Sequence, residues 1–401
     1  MKKLLILHGE NTYNYGTFMM LINFIYFLSK KYNYEYIFYI KMNSDDDFER
    51  LRVELDDPRI KINKFNFNSD NKSGNLLTKI VGLKNKFFDQ PKEMSHLGID
   101  GLVILGGDDL SEYYKGWMIW TDLAILKKIS KKINIYLIGQ TIGPFNSWRK
   151  KYAKYCFKNC QIILRDTLSA DYLSNSLYID HYKVASDLAF LPLPLQEDDF
   201  DFIKKYNLIK DGYISLVPSG LWKKYVKNKD IYIKVWKEIV ESLLEHEGLR
   251  NKKIVLFGHV LKPEGCDDRI IIRELKEVVK NDDRLIFIDD TMLASQARKL
   301  LTGGILTITG RMHPAISSFS LNTPAISLSY SVKYQGIIGN DLGLNELVVD
   351  AKGDDRWGDH LAKQVIKKVN YILEDREEIV KKISSKVEIL NKKNKKLFDL
   401  F

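Results

Sequence analysis

Residues 303–317 read Gly-Gly-Ile-Leu-Thr-Ile-Thr-Gly-Arg-Met-His-Pro-Ala-Ile-Ser. A short apolar, β-branched run stops at Gly310, which permits an unusual turn. A helix then opens with Pro314, suited to a first helical position because its missing N–H would be unpaired there anyway. Strand, turn and helix in that order are half of a βαβ unit, and the pattern recurs along the chain. Short apolar runs closed by Gly, Asn or Asp alternate with longer amphipathic stretches, which predicts mainly parallel sheets with helical crossovers. Strands are expected at 4–7, 36–40, 102–105, 135–138 and 162–164, and in a second series at 214–217, 254–257, 285–288, 305–309 and 325–329. The polar segment 45–98, with its Asn, Asp and Lys clusters, reads as an irregular insertion.

Between the two series, residues 191–212 (LPLPLQEDDFDFIKKYNLIKDG) combine paired prolines with an acid run, as interdomain linkers do. The chain is therefore read as α/β, with a Rossmann-like domain at 1–195, a linker at 196–212, a second Rossmann-like domain at 213–363 and a Lys-rich helical segment at 364–401. Two such domains in tandem are expected to face a cleft, a GT-B-like layout, with ligands at the carboxyl ends of the strands.

A length of 401 residues fits about two domains, and 45% hydrophobic with 12% aromatic residues excludes disorder for the bulk of the chain. The formal net charge of +10 favours acidic partners: phosphorylated donors, anionic lipid headgroups or nucleic acid. No helix-turn-helix, zinc-finger or RNA-recognition motif is present, which argues against nucleic acid. The three cysteines, Cys156, Cys160 and Cys266, are too few and too scattered for a disulfide framework or a zinc site, and point to a reducing compartment. The apolar run 4–7 is too short for a signal peptide, and the longest apolar stretch, 18–28, falls well short of the ~20 residues of a membrane span. A cytoplasmic location is expected, at the inner face of the membrane if the chain binds one. Trp148-Arg-Lys-Lys-Tyr-Ala-Lys-Tyr155 alternates aromatic and basic residues as an interfacial helix would.

Arg311 and His313 fall at the N-terminus of the helix after strand 305–309, where free N–H groups and partial positive charge favour a phosphate or carboxylate. Lys333, with Ser329 and Ser331, follows strand 325–329 and would stand on the same rim in a parallel sheet. His259 ends strand 254–257. In the first half, Arg165 and Asp166 end strand 162–164, which makes Arg165 a candidate second anchor for a dianionic donor. Three Gly-bearing turns follow strands and carry Asn14 with Gly16, Asp109, and Gln140; none matches a Walker loop or a GxGxxG fingerprint. The paired acids Asp108-Asp109 and Asp267-Asp268 read as solvated turns, and no cluster has metal-ligand spacing.

The chain resembles the polysaccharide pyruvyl transferase family. The resemblance rests on Asn14-Tyr15-Gly16-Thr17, Ile104-Leu-Gly-Gly107, Gly139-Gln-Thr-Ile-Gly-Pro144, Arg165-Asp166 with Ser169, Ser186-Asp187-Leu-Ala-Phe190 and Gly310-Arg-Met-His313, in that order over most of the length. It departs from the commonest pattern near Thr17, where many members have an acidic residue, and at Asp108, where a third glycine is frequent. The resemblance implies a GT-B-like fold, phosphoenolpyruvate as donor substrate and a sugar acceptor, lipid-linked or free; no cofactor is expected beside the donor. It further implies that Arg311 and His313 hold the donor's phosphate and carboxylate. On the reading of the residues themselves, Arg165, Lys333 and His259 join them in binding the donor, His313 protonates its methylene carbon, and Asp166 or Asp109 deprotonates the acceptor, with Asn14, Gly16 and Gln140 on the acceptor side or in the cleft. A GT-B glycosyltransferase with a nucleotide-sugar donor is the alternative. It would want a late carboxylate, for which Glu346 is one choice.

Overall fold

The computed structural model describes residues 1–67, 89–112, 116–196 and 201–401. The chain forms two compact units, each built on one parallel sheet. The first holds β1 (Lys2–Leu7), β2 (Tyr36–Lys41), β3 (Lys61–Phe65), β4 (Gly101–Leu105), β5 (Asn134–Gln140), β6 (Cys160–Leu164) and β7 (Tyr182–Val184) in the order β3-β2-β1-β4-β5-β6-β7. The second holds β8 (Tyr213–Val217), β9 (Lys253–Phe257), β10 (Leu285–Ile288), β11 (Leu306–Thr309), β12 (Ala325–Ser329) and β13 (Val348–Asp350) in the order β10-β9-β8-β11-β12-β13. Both orders contain the 3-2-1-4-5-6 succession of a Rossmann sheet, whose strand order reverses beside the first strand. The reversal falls between β1 and β4 in one unit and between β8 and β11 in the other, with Leu7 opposite Ile104 and Val217 opposite Thr309.

Every residue of β4, β8, β11 and β12 is buried, as helix-covered parallel strands require. The helix Lys229–Glu245 shows how the second sheet is covered. Asn228 caps it by accepting from the Asp230 N–H, and Tyr232, Val235, Trp236, Ile239, Val240 and Leu243 recur at three- and four-residue spacing on its buried face. Among the described residues no helix is long and apolar enough to cross a membrane.

All ten expected strands are present, and the described residues add three more, β3, β7 and β13. Segment 45–98 is not irregular throughout: it contains the helix Asp45–Leu55, β3 and the helix Gln90–His96, and its residues 68–88 lie outside the described ones. The first of these helices is polar in composition, but Ser44 caps it and three aspartates fill its positive end.

The units divide at Leu188/Ala189, upstream of the 196–212 segment. The physical reason is Arg298, fully buried in the second unit, whose guanidinium donates to the carbonyls of Ala189 (2.6 Å) and Leu191 (2.9 Å). Two short segments also change sides. Residues 12–19 belong to the second unit, where Asn14 bridges Val260, Tyr13 O accepts from Leu261 N (2.8 Å) and Tyr15 N donates to His259 O (3.1 Å). Residues 393–401 belong to the first, where Asn394 bonds Ser186 N and Asp187 O and the Phe401 ring stacks on Tyr136 at 4.4 Å.

Candidate active site

In the second unit the sheet reversal brings the end of β8 beside the end of β11. Gly310 continues β11 by donating to Val217 O, and its own carbonyl accepts from the hydroxyls of Tyr225 and Tyr334. Its φ is not left-handed, so a turn conformation is not why glycine stands here. A Cβ would lie 3.1 Å from Ser219 Cβ and 3.2 Å from Ser219 N, so the reason is close approach of the two strand ends. Arg311 is the extended N-cap of the helix Met312–Ser320, with its N–H donating to Thr309 Oγ1 (2.8 Å). Pro314 is thus the third helical residue rather than the first, still within the turn whose N–H groups have no helical acceptor.

The Arg311 side chain, 11% exposed, turns onto Asp268: Nε and Nη2 donate to Oδ1 at 3.0 and 2.7 Å, and Nη2 also donates to Cys266 O at 2.7 Å. Asp268 is fully buried, not a solvated turn, and it gathers three backbone amides as well. Gly220 N donates to Oδ1 (2.7 Å), and His259 N and Val260 N donate to Oδ2 (3.0 and 2.9 Å). Burial works against the Arg311 charge, but the ion pair and hydrogen bonds with Asp268 outweigh it and hold the guanidinium protonated.

His313, half-buried, sits on the second helical position. Gly16 lies against its ring so closely that a Cβ there would be 2.2 Å from His313 Cγ and 2.3 Å from Nδ1. Asn14 caps the helix that carries Gly16, its Oδ1 accepting from Thr17 N at 3.4 Å. His259 is buried beneath, with Tyr15 edge-on at 5.5 Å, and its Nε2 has no hydrogen-bond partner among the described residues. Burial first, then the nearby charges of His313, Arg311 and Arg298, push its pKa far below the ordinary histidine value. Lys333 donates to the Tyr330 hydroxyl (3.2 Å), and the Tyr330 phenol also bears on the Arg311 charge. Of the sequence candidates, the second unit therefore brings together Arg311, His313, His259, Asn14, Gly16 and, through Tyr330, Lys333. Sequence reasoning missed Asp268 and Tyr15.

The buried, neutral His259 makes stability depend on pH. The unfolded chain binds a proton to this residue near pH ~6.5 while the folded one does not, so stability is full above that value and falls as pH drops below it, by at most about 1.4 kcal/mol per unit. Urea midpoints should decline between pH 7.5 and 5.5, and His259→Phe should flatten that decline; an unchanged slope in the variant would refute the assignment.

In the first unit, Arg165 is buried, donating from Nη1 to Asp187 Oδ2 (2.9 Å) and from Nε to Thr141 Oγ1 (3.0 Å). Burial opposes its charge, and the carboxylates of Asp187, Asp108 and Asp166 restore it. Asp166 caps the helix Thr167–Tyr172, with Oδ1 accepting from Ser169 N and Oδ2 from Thr141 Oγ1, both at 2.7 Å. Gln140 is buried, donating to Ile104 O while its Oε1 has no partner among the described residues. Asp109, at the β1/β4 reversal, is 43% exposed and lies 3.3 Å from His8 Nδ1. Cys156 and Cys160 are buried, which pushes their thiols up to about 11 and about 12, so neither is a reactive thiolate. Among the described residues no group of three or more His, Cys, Asp or Glu is placed to hold a metal ion.

The polysaccharide pyruvyl transferase model matches residues 14–332, a span that holds Asn14, Gly16, Arg165, His259, Arg311 and His313 and stops one residue short of Lys333, and it defines the class as a transferase. The chain is 25% identical to the amylovoran biosynthesis protein AmsJ of Erwinia amylovora over 301 residues, 72% of this chain and 69% of that one. It belongs to the polysaccharide pyruvyl transferase family. Among solved structures it is similar to the UDP-GlcNAc 2-epimerase of Neisseria meningitidis bound to UDP-GlcNAc (TM-score 0.62, 12% identity, 99% of this chain and 100% of that one). It is likewise similar to the sucrose-phosphate synthase of Thermosynechococcus elongatus (TM-score 0.57, 10% identity, 97% and 95%). At such identities the likeness is one of fold, and it agrees with the expected two-domain α/β, GT-B-like class.

Proposed function

We propose that this transferase moves the enolpyruvyl group of phosphoenolpyruvate onto two hydroxyls of one sugar, forming a pyruvate ketal during synthesis of a cell-surface polysaccharide. The observation that carries the reading is the pairing of Arg311 and His313 at one helix N-terminus beside the β8/β11 reversal, with His313 held against Gly16. A phosphate and a carboxylate on a three-carbon skeleton match that site: the amides of the helix Met312–Ser320, Arg311 and Lys333 supply positive charge, and His259 Nε2 supplies a neutral hydrogen-bonding atom.

In the first step His313 gives its proton to the methylene carbon, C3 becomes a methyl group, and C2 takes on oxocarbenium character. A sugar hydroxyl attacks C2 and loses its proton to a base. The C2–O bond to phosphate then breaks, and the neighbouring hydroxyl closes the ketal as its proton leaves with the phosphate. No cofactor is needed. Asn14 and Gly16 are assigned to the acceptor side.

Phosphoenolpyruvate at a hundredfold excess over its Kd should stabilise the protein by about 2.7 kcal/mol, read as a rise in Tm of roughly 5 °C. UDP-GlcNAc should give none. A shift with the nucleotide sugar alone would replace this reading by a glycosyltransferase.

A further inference from the structure

We propose that the first unit carries a docking surface for an anionic lipid bilayer, centred on the helix Arg149–Phe157. Three aromatic side chains stand out from it and its neighbour: Trp148, Tyr155 and Tyr178 are 56%, 55% and 75% exposed. Tyr152 links two of them, its ring 5.9 Å from that of Trp148 and 6.5 Å from that of Tyr155. Lys127, from the helix Ile119–Ile129, lies over the Tyr155 ring at 4.3 Å, and Lys154 lies over the Tyr178 ring at 5.6 Å, so three neighbouring elements are tied together at the surface. Tyr178 closes the turn Leu173–Leu177 in the left-handed conformation (φ 55°, ψ 47°), where Gly or Asn is usual. A tyrosine accepts that strain here without gaining burial, which fits a ring kept outside for a partner.

Charge selects the partner. Residues 149–158 include five basic residues and no acidic one. Arg149 is neutralised by Glu112 through a bidentate pair, Nη2 to Oε2 at 3.0 Å, which leaves the lysines as the positive charge of the face. Amphipathic rings beside flexible ammonium groups are the composition that settles at the headgroup level of an anionic membrane, the rings reaching the acyl boundary and the lysines the phosphates. The commonest base-specific contact in the DNA major groove is a bidentate Arg or Lys, and the one arginine here is already engaged with Glu112. The surface requires no particular donor, so it stands or falls apart from the pyruvyl chemistry.

The full chain is tested by co-sedimentation with vesicles of phosphatidylcholine alone or with one third phosphatidylglycerol. Binding is expected to the anionic vesicles at about 0.1 M salt and to be lost at about 0.5 M salt. Lys151→Gln with Lys154→Gln should weaken it by about fivefold for each lysine. Replacing Trp148, Tyr155 and Tyr178 together by serine should weaken it at least ~10-fold, with the circular dichroism spectrum and transfer to a soluble acceptor unchanged. Equal sedimentation with both vesicle types, no sedimentation with either, or a triple variant that binds like the parent would overturn the proposal. So would a preference for single-stranded DNA over the anionic vesicles.

Discussion

His313→Asn should lose pyruvate transfer by about 10²–10⁴-fold, the contribution of a positioned general acid, while its thermal unfolding stays close to that of the parent. Asparagine is smaller than histidine, so it relieves rather than tightens the contact with Gly16. The separating measurement is incorporation of solvent deuterium into the product methyl group, which the variant should slow in step with phosphate release. A variant that transfers pyruvate at the parental rate would remove His313 from the chemistry, and with it the reading of the Gly310–His313 turn as a catalytic element.

Asp268→Ala should destabilise the second unit by about 3–5 kcal/mol, because it leaves the Arg311 guanidinium in a buried position with no counter-charge. The amides of Gly220, His259 and Val260 lose their acceptor at the same time. The double change Asp268→Ala with Arg311→Met should recover part of that loss, since the stranded charge is gone. Urea unfolding of the four proteins of the cycle reads the coupling. Additivity within about 0.5 kcal/mol would show that the pair is not coupled. Asp268 thus acts on the site by fixing Arg311 and the start of the loop that carries His259.

The internal strands were legible in the sequence because a strand covered by helices on both faces is an uninterrupted apolar run. The three that are not legible are edge strands. β3 reads Lys-Ile-Asn-Lys-Phe with no buried residue, β7 has three residues, and β13 ends the second sheet with one buried residue. At the site, the Arg311/His313 turn was readable because strand end, glycine, charged residues and helix start are contiguous. Their partners were not, because ion pairs are made across the fold. Arg165 stands next to Asp166 in sequence yet its ion pair is with Asp187, and the acid that holds Arg311 is 43 residues upstream in a pair that looks like any polar turn. Gly310 reads in the sequence as a conformational constraint, whereas in the structure the constraint is the close approach of Ser219.

Residues 12–19 fold with the second unit although 169 residues of first-unit chain follow them, up to Leu188. A fragment cut from residue 189 onward would lack the glycine that backs His313 and the tyrosine beside His259, leaving an imidazole pair with an open flank. A split enzyme would therefore have to be assembled from both pieces, or rewired so that the octapeptide is grafted ahead of the second half.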